Sequence, residues 1–489
     1  MESKLNLKDA QLFKSQCYVD GQWIDADEGA TITVNNPATG EAIGTVPQMG
    51  ASEARRAIEA ASAALPAWRA TLAKERGRLL RAWFELIIAN RDDLALILTS
   101  EQGKPLHESL GEVVSGAAFI EWFAEEARRT YGETIPTSAH DRRIVVIKQP
   151  IGVCAAITPW NFPNTIITRK VAAALAAGCT IVVRPASSTP YSALVLAELA
   201  HRAGIPPGVF NVVTGSPRGI GAEFTSNPIV RKLSFTGSTE VGRKLMEQSA
   251  GTVKKLALEL GGNAPFIVFE DADIDAAVSG AVASKFRNAG QACVGTNRFY
   301  IHDSVYDEFA GKLVAKVAEL TVGNGAAPGV TCGPMHDMGG VAKMEEHIAD
   351  ALKKGARLLA GGHRHALGGT FFEPTVIGDA NATMKVSREE TFGPLGALFR
   401  FHDENDLVRT ANDTEFGLAS YLYSRDIARI WRVAEALEFG MVGVNVGLMA
   451  NESVPFGGVK ESGFGREGSK YGIEDYLEVK YICLGGMSA

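Results

Sequence analysis

Polar and apolar positions change rhythm several times along the chain. Residues 17–47 alternate over short runs broken at Asp20-Gly21 and Asn36-Pro37-Ala38-Thr39-Gly40, the punctuation of paired strands. A helical rhythm follows. Ser52 is placed to cap a helix that continues to Trp68, and further patterns of helical period cover 74–90 and 105–130. After a loop at 132–142, Arg143–Lys148 reads as an exposed strand. From residue 151 strands alternate with helices. The strands are Gly152–Ile157, Thr180–Arg184, Val209–Val213 and Lys232–Phe235, and the helices are 163–177, 190–203, 217–226 and 239–250. A second alternating block runs from near Gly261 to about 445. Its strands are Ala264–Val268, Arg298–Ile301, Ala397–Phe401 and Ser420–Tyr423; its helices are 303–320, 337–353 and 425–438, with another running from Asp273 up to the turn at Cys293. Asp475–Cys483 is a last strand-like run. This alternation predicts an α/β protein with parallel sheets covered on both faces, in two domains joined near 258–262.

Composition narrows the partners rather than the fold. A chain of 489 residues exceeds one core, and its apolar and charged fractions are ordinary for a globular protein. A net charge of −7 offers no electrostatic reason to bind nucleic acid or an anionic membrane. The six cysteines (Cys17, Cys154, Cys179, Cys293, Cys332, Cys483) are scattered, with neither a Cys-x-x-Cys pair nor a zinc-like spacing, so no metal is expected. Met1–Ala10 has no secretory or transit pattern, and no apolar run reaches the roughly 18 residues of a membrane span. Reduced thiols in the cytoplasm are the expectation.

Candidate chemistry centres on Phe286-Arg287-Asn288-Ala289-Gly290-Gln291-Ala292-Cys293-Val294-Gly295, which puts a cysteine where a helix gives way to a strand. By itself this cysteine is a nucleophile or a buried small hydrophobe. Phe235-Thr236-Gly237-Ser238 lies between a strand and a helix, where Gly237 opens the backbone to a phosphate and Ser238 caps the helix. Arg184, at the end of another strand and followed by Ser187, is a second candidate for ribose or phosphate. No Gly-x-Gly-x-x-Gly follows a strand.

Taken together the motifs carry a resemblance. Pro159-Trp160-Asn161-Phe162-Pro163, Phe235-Thr236-Gly237-Ser238, Leu258-Glu259-Leu260-Gly261-Gly262, Gly290-Gln291-x-Cys293, Glu389-Glu390-x-Phe392-Gly393-Pro394 and Pro455-Phe456-Gly457-Gly458 occur in this order. The chain resembles the NAD(P)-dependent aldehyde dehydrogenase superfamily over nearly its whole length, and within it most resembles succinate-semialdehyde dehydrogenases. The resemblance implies two Rossmann-like α/β domains plus a small β oligomerisation element, in a dimer or tetramer. Residues 1–130 and 149–259 would form the cofactor-binding domain, 260–470 the catalytic domain, and 131–148 with 471–489 the oligomerisation element. It also implies a cofactor half without the usual glycine fingerprint.

The resemblance assigns roles as well. Cys293 would attack the aldehyde, because a bare aldehyde carbon is a poor hydride donor and a thiohemiacetal a good one. A free cysteine near its ordinary pKa is partly thiolate at neutral pH, and a nearby base supplies more. Asn161 and the Cys293 backbone N–H would hold the oxyanion, and Glu259 would be the base for thioester hydrolysis. Trp160, Gly237, Ser238, Leu260, Glu390 and Phe392 match cofactor contacts, Glu390 at the nicotinamide ribose. At the adenine ribose, Arg184 stands where relatives have lysine and Ser187 where many have an acid. A guanidinium with a small hydroxyl suits a 2′-phosphate, so NADP is expected to be accepted alongside NAD.

Arg169 and Arg287 match the carboxylate-binding arginines of succinate-semialdehyde dehydrogenases, and Phe162 and Asn451 complete the expected substrate contacts. Two departures stand out. Ala450 replaces a serine of the anion site, which leaves glutarate semialdehyde, 2-oxoglutarate semialdehyde and sulfonated aldehydes open beside succinate semialdehyde. Gly295 replaces a second cysteine, which removes one route to redox control. Competing classes are an acylating dehydrogenase, opposed by Glu259, a cysteine hydrolase, opposed by the cofactor motifs, and a non-catalytic descendant, opposed by Cys293 and Glu259 together.

Overall fold

The computed structural model describes residues 5–487. The first four residues of the Met1–Ala10 segment and the last two of the C-terminal element lie outside the described residues. The first alternating block forms an eight-stranded sheet. Its order is Gly463–Phe464, Lys255–Glu259, Val230–Thr236, Val153–Ile157, Thr180–Arg184, Phe210–Val212, Cys17–Val19 and Gln22–Ile24. The five strands from Lys255–Glu259 to Phe210–Val212 are parallel. Thr180–Arg184 is buried at every position, which is why it reads as an unbroken apolar run.

Strand order reverses between Val153–Ile157 and Val230–Thr236. From the first, the chain adds strands in one direction through Thr180–Arg184; from the second, it adds Lys255–Glu259 in the other. Such a switch point leaves a crevice outside the carboxyl ends of the two strands. Here those ends are Thr158-Pro159-Trp160 and Gly237-Ser238.

The second block forms a seven-stranded sheet. Its order is Arg357–Ala360, Thr375–Gly378, Leu395–Phe401, Thr296–His302, Ala264–Val268, Ala419–Tyr423 and Met441–Val444, all parallel except the Arg357–Ala360 edge. A third, antiparallel sheet pairs Leu477–Leu484 with Arg143–Pro150 and that strand with Glu133–Ile135. Among the described residues, no helix is long and apolar enough to cross a membrane.

Several expectations are corrected. Ser52 is not the cap of its helix. The helix Ala51–Ala70 is capped at Gly50, whose N–H donates to Glu53 Oε2 (3.0 Å), and Ser52 donates its hydroxyl to the same carboxylate. The helix Arg91–Gln102, separated from its predecessor by Asn90 alone, falls between the helical patterns expected at 74–90 and 105–130 and is an element the sequence reading left out. The 132–142 loop contains the short strand Glu133–Ile135. Lys255–Glu259 is a full strand of the first sheet, hidden in the sequence by the charged residues at its ends. The helix Ile274–Lys285, capped by Asp273, stops well before Cys293, and a tight turn at Arg287–Gly290 fills the gap.

Candidate active site

Two cavities meet at Cys293. The larger, about 580 Å³, opens at the switch point and is walled by Trp160, Gly237, Ser238 and Leu260 on one side and by His336, Lys343, Glu390 and Phe392 on the other. The smaller, about 250 Å³, is walled by Phe162, Arg169, Arg287, Val294, Ala450 and Phe456. Thr236, Glu259 and Cys293 line both. The thiol and the carboxyl therefore stand on the partition between them.

The thiol rides on an unusual turn. Asn288 (φ 52°), Ala289 (φ 50°) and Gly290 (φ 72°) are all left-handed, and two of them carry a Cβ, which costs roughly 1–2 kcal/mol each. Surrounding hydrogen bonds hold the turn. The Asn288 N–H donates to Glu108 Oε2 (2.7 Å), Gln102 Nε2 donates to Asn288 Oδ1 (2.9 Å), and Asn288 Nδ2 donates to the carbonyls of Asn161 (3.0 Å) and Gln291 (3.2 Å). Glycines admit close neighbours on either side. A Cβ on Gly290 would sit 2.2 Å from the Gly393 carbonyl oxygen, and one on Gly262 would sit 2.4 Å from that of Cys293.

Burial pushes the Cys293 thiol up to about 12, with Glu390 and Glu259 adding to the rise and Arg169 opposing it. Burial therefore favours the neutral thiol over the thiolate, which gives a nearby base a part in the attack. Glu259, at the end of Lys255–Glu259, is buried, and neither carboxylate oxygen has a hydrogen-bond partner among the described residues. Burial and then the Glu467 carboxylate hold it well above the usual carboxylate range, while Lys170 and Arg169 pull it back. A carboxyl so placed can take a proton from the thiol or from water.

Asn161 donates one amide hydrogen to the Gln291 carbonyl (3.1 Å), which leaves the other free, and its Oδ1 has no partner. Its own carbonyl accepts from Lys104 Nζ (2.6 Å), which also donates to Glu112 Oε2 (2.6 Å). Glu112 Oε1 in turn accepts the N–H groups of Asn164 (2.9 Å) and Thr165 (3.2 Å), the start of the helix Thr165–Ala177 that carries Arg169.

On the smaller cavity, Arg169 is held between the rings of Phe119 (4.7 Å) and Phe456 (4.3 Å), with Glu467 3.8 Å away. Arg287 lies 5.1 Å from the Phe162 ring centre and makes no ion pair or hydrogen bond among the described residues. Asn451 is not on this wall. It is exposed, its carboxamide oxygen accepts from the N–H (2.9 Å) and hydroxyl (2.7 Å) of Ser453, and Ala450 lines the cavity instead.

On the larger cavity, the Trp160 ring stacks on His336 (4.1 Å, 7°) and meets Phe392 edge-on (5.7 Å, 90°). Arg184 lines the cleft and donates from Nη2 to Ser187 Oγ (2.7 Å); burial lowers its pKa to about 10. Ser187 is reached through that bond and is not itself part of the wall. Ser238 caps the helix Thr239–Ser249, and a Cβ on Gly237 would meet Phe235 Cζ at 2.4 Å. Glu390 accepts the Gly262 N–H (3.0 Å) and is raised by burial to about 7. Thr158 Oγ1, Thr236 Oγ1 and Arg184 Nε are buried without hydrogen-bond partners among the described residues. An apolar cleft at a switch point, with a helix N-terminus, a guanidinium, a carboxyl and orphaned hydroxyls, fits a dinucleotide. No cluster of His, Cys, Asp or Glu able to hold a metal occurs among the described residues.

Comparison with known proteins bears directly on this site. Residues 23–482 match the Aldehyde dehydrogenase family. The chain belongs to that family. It is 66% identical over 483 residues to a glutarate-semialdehyde dehydrogenase of Pseudomonas aeruginosa, covering 99% of this chain and all of that one. It is 63% identical over 481 residues to an NADP(+) succinate-semialdehyde dehydrogenase of Escherichia coli, covering 98% and 100%. A crystal structure of succinate-semialdehyde dehydrogenase from Burkholderia pseudomallei superimposes with a TM-score of 0.98 at 65% identity, covering 98% of this chain and all of that one. This aldehyde dehydrogenase is accordingly an oxidoreductase that acts on an aldehyde.

The aldehyde dehydrogenase site also contains residues that the sequence did not single out. Lys170 Nζ donates to Glu467 Oε1 (2.5 Å) and Ser234 Oγ (2.9 Å) behind Glu259. Lys104, Glu112, Asn288, His336 and Lys343 complete the surroundings. Most of their partners are tens to hundreds of residues away, and Lys104, eight residues from Glu112, reaches the site only through the Asn161 carbonyl. The Asn161 and Gln291 motifs were visible; the lysine that anchors one and the asparagine that ties both were not.

Proposed function

We propose that this enzyme oxidises a short aldehyde bearing a terminal anion, succinate semialdehyde to succinate in the first instance, with NADP or NAD. The observation that carries the reading is the unpaired Arg287 facing the same small cavity as Arg169 and Cys293. A guanidinium without a carboxylate partner is a binding site for one. Glutarate semialdehyde is the second reading. Ala450 lacks the hydroxyl that would help fix a short anion, and the 66% identity to a glutarate-semialdehyde dehydrogenase supports it.

In this reading Arg287 and Arg169 hold the far anion and aim the aldehyde at Cys293. Glu259, or water beside it, takes the thiol proton as the C–S bond forms. Asn161 Nδ2 and the Cys293 N–H hold the oxyanion, a contact worth about 10²–10³ in rate. A nicotinamide bound in the larger cavity supplies the hydride acceptor. Once its first proton has passed to solvent, Glu259 takes a proton from the water that breaks the Cys293 thioester, the thiolate leaves and is reprotonated, and the acid departs past the arginines. Glu390 would hold the nicotinamide ribose beside Phe392 and Trp160. Arg184 with Ser187 would hold the 2′-phosphate, and Gly237, Ser238 and Leu260 would contact the rest of the dinucleotide.

The domain division given above follows from the same reading. So does a homo-oligomer, dimer or tetramer, supported by exposed Val479, Tyr481, Ile482 and Leu484 on the edge strand Leu477–Leu484 and by exposed Ile135 on the opposite edge of the same sheet. A cytoplasmic setting is supported by six cysteines that form no disulfide.

The deciding experiment is a panel of succinate, glutarate and 2-oxoglutarate semialdehydes, a sulfonated aldehyde and a neutral aldehyde of equal length, each with NADP and NAD. The anionic substrates should exceed the neutral one in kcat/KM by about 10²-fold. Equal rates would remove the anion-binding role of the arginines.

A further inference from the structure

Trp160 and His336 stack on one another in the wall of the larger cavity. Trp160 follows the strand Val153–Ile157 of the first sheet, and His336 precedes the helix Met338–Lys353 that packs on the second. Their rings are nearly parallel, with centres 4.1 Å apart. His336 Nε2 also lies 2.8 Å from Ser188 Oγ, in the loop that follows Arg184 and Ser187. Its backbone N–H donates to Gln291 Oε1 (2.8 Å), two residues before the thiol. One histidine thus touches the aromatic wall, the loop beside the ribose site and the turn that carries Cys293. A histidine that merely filled space would sit in a core; this one lines the cavity and hydrogen-bonds to the loop behind its wall.

We propose that His336 is a positioning residue for the dinucleotide, bracing Trp160 and Ser188 so that the cofactor meets a preformed wall. The inference rests on reading the larger cavity as the NADP site. A wall that is already ordered spares the cofactor the cost of ordering it, so the effect belongs to cofactor affinity and not to the step at Cys293. Burial lowers the His336 pKa, so the bond to Ser188 is made by the neutral ring.

The test is NADP binding by isothermal titration calorimetry, with steady-state kinetics, on wild type, His336→Leu, His336→Phe, Ser188→Ala and the His336→Phe/Ser188→Ala double variant. His336→Leu loses stack and hydrogen bond and should raise Kd about tenfold. His336→Phe and Ser188→Ala each lose only the hydrogen bond and should raise it about threefold, the double variant no more than either single one. In every variant kcat stays within about twofold, since the contact is made equally in ground and transition states. Recovery of affinity in His336→Phe over His336→Leu separates positioning from general damage to the fold. A wild-type Kd in His336→Leu, or a fall in kcat at unchanged Kd, overturns the proposal. A wild-type enzyme that binds neither NADP nor NAD overturns the cofactor reading, and the role of His336 with it.

Discussion

Lys170 and Glu467 lie 2.5 Å apart, Nζ to Oε1, in a space almost closed to water, although 297 positions separate them in the chain. Their charges flank Glu259 with opposite effects: the carboxylate raises its pKa and the ammonium lowers it. Replacing Glu467 by Gln removes the repulsion and leaves the ammonium uncompensated. Both changes stabilise ionised Glu259, so its folded pKa falls. The limb of the kcat–pH profile that reports this group should therefore move to lower pH. A limb that stayed in place or moved up would show that Glu467 does not tune Glu259.

Glu259→Gln keeps the size of the side chain and abolishes its basicity. Turnover should fall about 10²–10⁴-fold, with a stoichiometric burst of reduced cofactor ahead of the slow phase if hydrolysis is the step most affected. Stopped-flow absorbance reads this directly. Loss of the burst as well would place the larger role of Glu259 at thiol activation, where the high pKa of Cys293 makes a base necessary.

The two pocket arginines should fail differently. Arg287→Leu should cut kcat/KM for an anionic semialdehyde by about 10²-fold, spare a neutral aldehyde, and lower thermal stability less than Arg169→Leu, because Arg287 makes no ion pair or hydrogen bond among the described residues and acts on the nearby Glu108 carboxyl only through its charge. Arg169→Leu should lower both activity and Tm, since it leaves a gap between Phe119 and Phe456 and removes a cation beside Glu467. Equal Tm values for the two variants would contradict this division.

Ser187→Glu puts a carboxylate within reach of the Arg184 guanidinium. The pair that forms should repel a 2′-phosphate and occupy the cation that would bind it. The ratio of kcat/KM for NADP over NAD should fall at least about tenfold. Kinetics with both cofactors settle it, and an unchanged ratio would place the phosphate elsewhere.

Lys104→Met tests the anchor of Asn161. The ammonium is almost fully buried and shared between Glu112 and the Asn161 carbonyl. Its removal strands the Glu112 charge, which should cost about 3–5 kcal/mol of stability in denaturant unfolding. A loss below about 1 kcal/mol would mean that Glu112 becomes protonated or hydrated at little cost.

The sequence made some of this visible and hid the rest for physical reasons. Thr180–Arg184 was legible to the residue because a strand buried on both faces is a continuous apolar run. Lys255–Glu259 was not, because its lysine and glutamate mark a sheet's end and a site rather than a core. Cys293, Glu259 and Asn161 were readable as motif members, and the fold brings all three to the larger cavity. Lys170 gave no sign because its carboxylate partner is 297 positions away, and Lys104, although only eight positions from Glu112, gave none because its link to the site is the Asn161 carbonyl 57 positions on. Asn451 was placed by its nearness to Pro455-Phe456-Gly457-Gly458, and the backbone turns the neighbouring Ala450 inward instead.

The contact of Gly290 with the Gly393 carbonyl has a practical meaning for redesign. Main chain lies on main chain there, with no side chain between to absorb an adjustment. A protein engineer who remodels 389–394 to accept a different cofactor will also displace the sulfur, and one who repositions the sulfur will disturb the Glu390 loop. Selection for a new dinucleotide should thus recover second mutations around Asn288–Gln291, and libraries that vary the two segments together should outperform those that vary either alone.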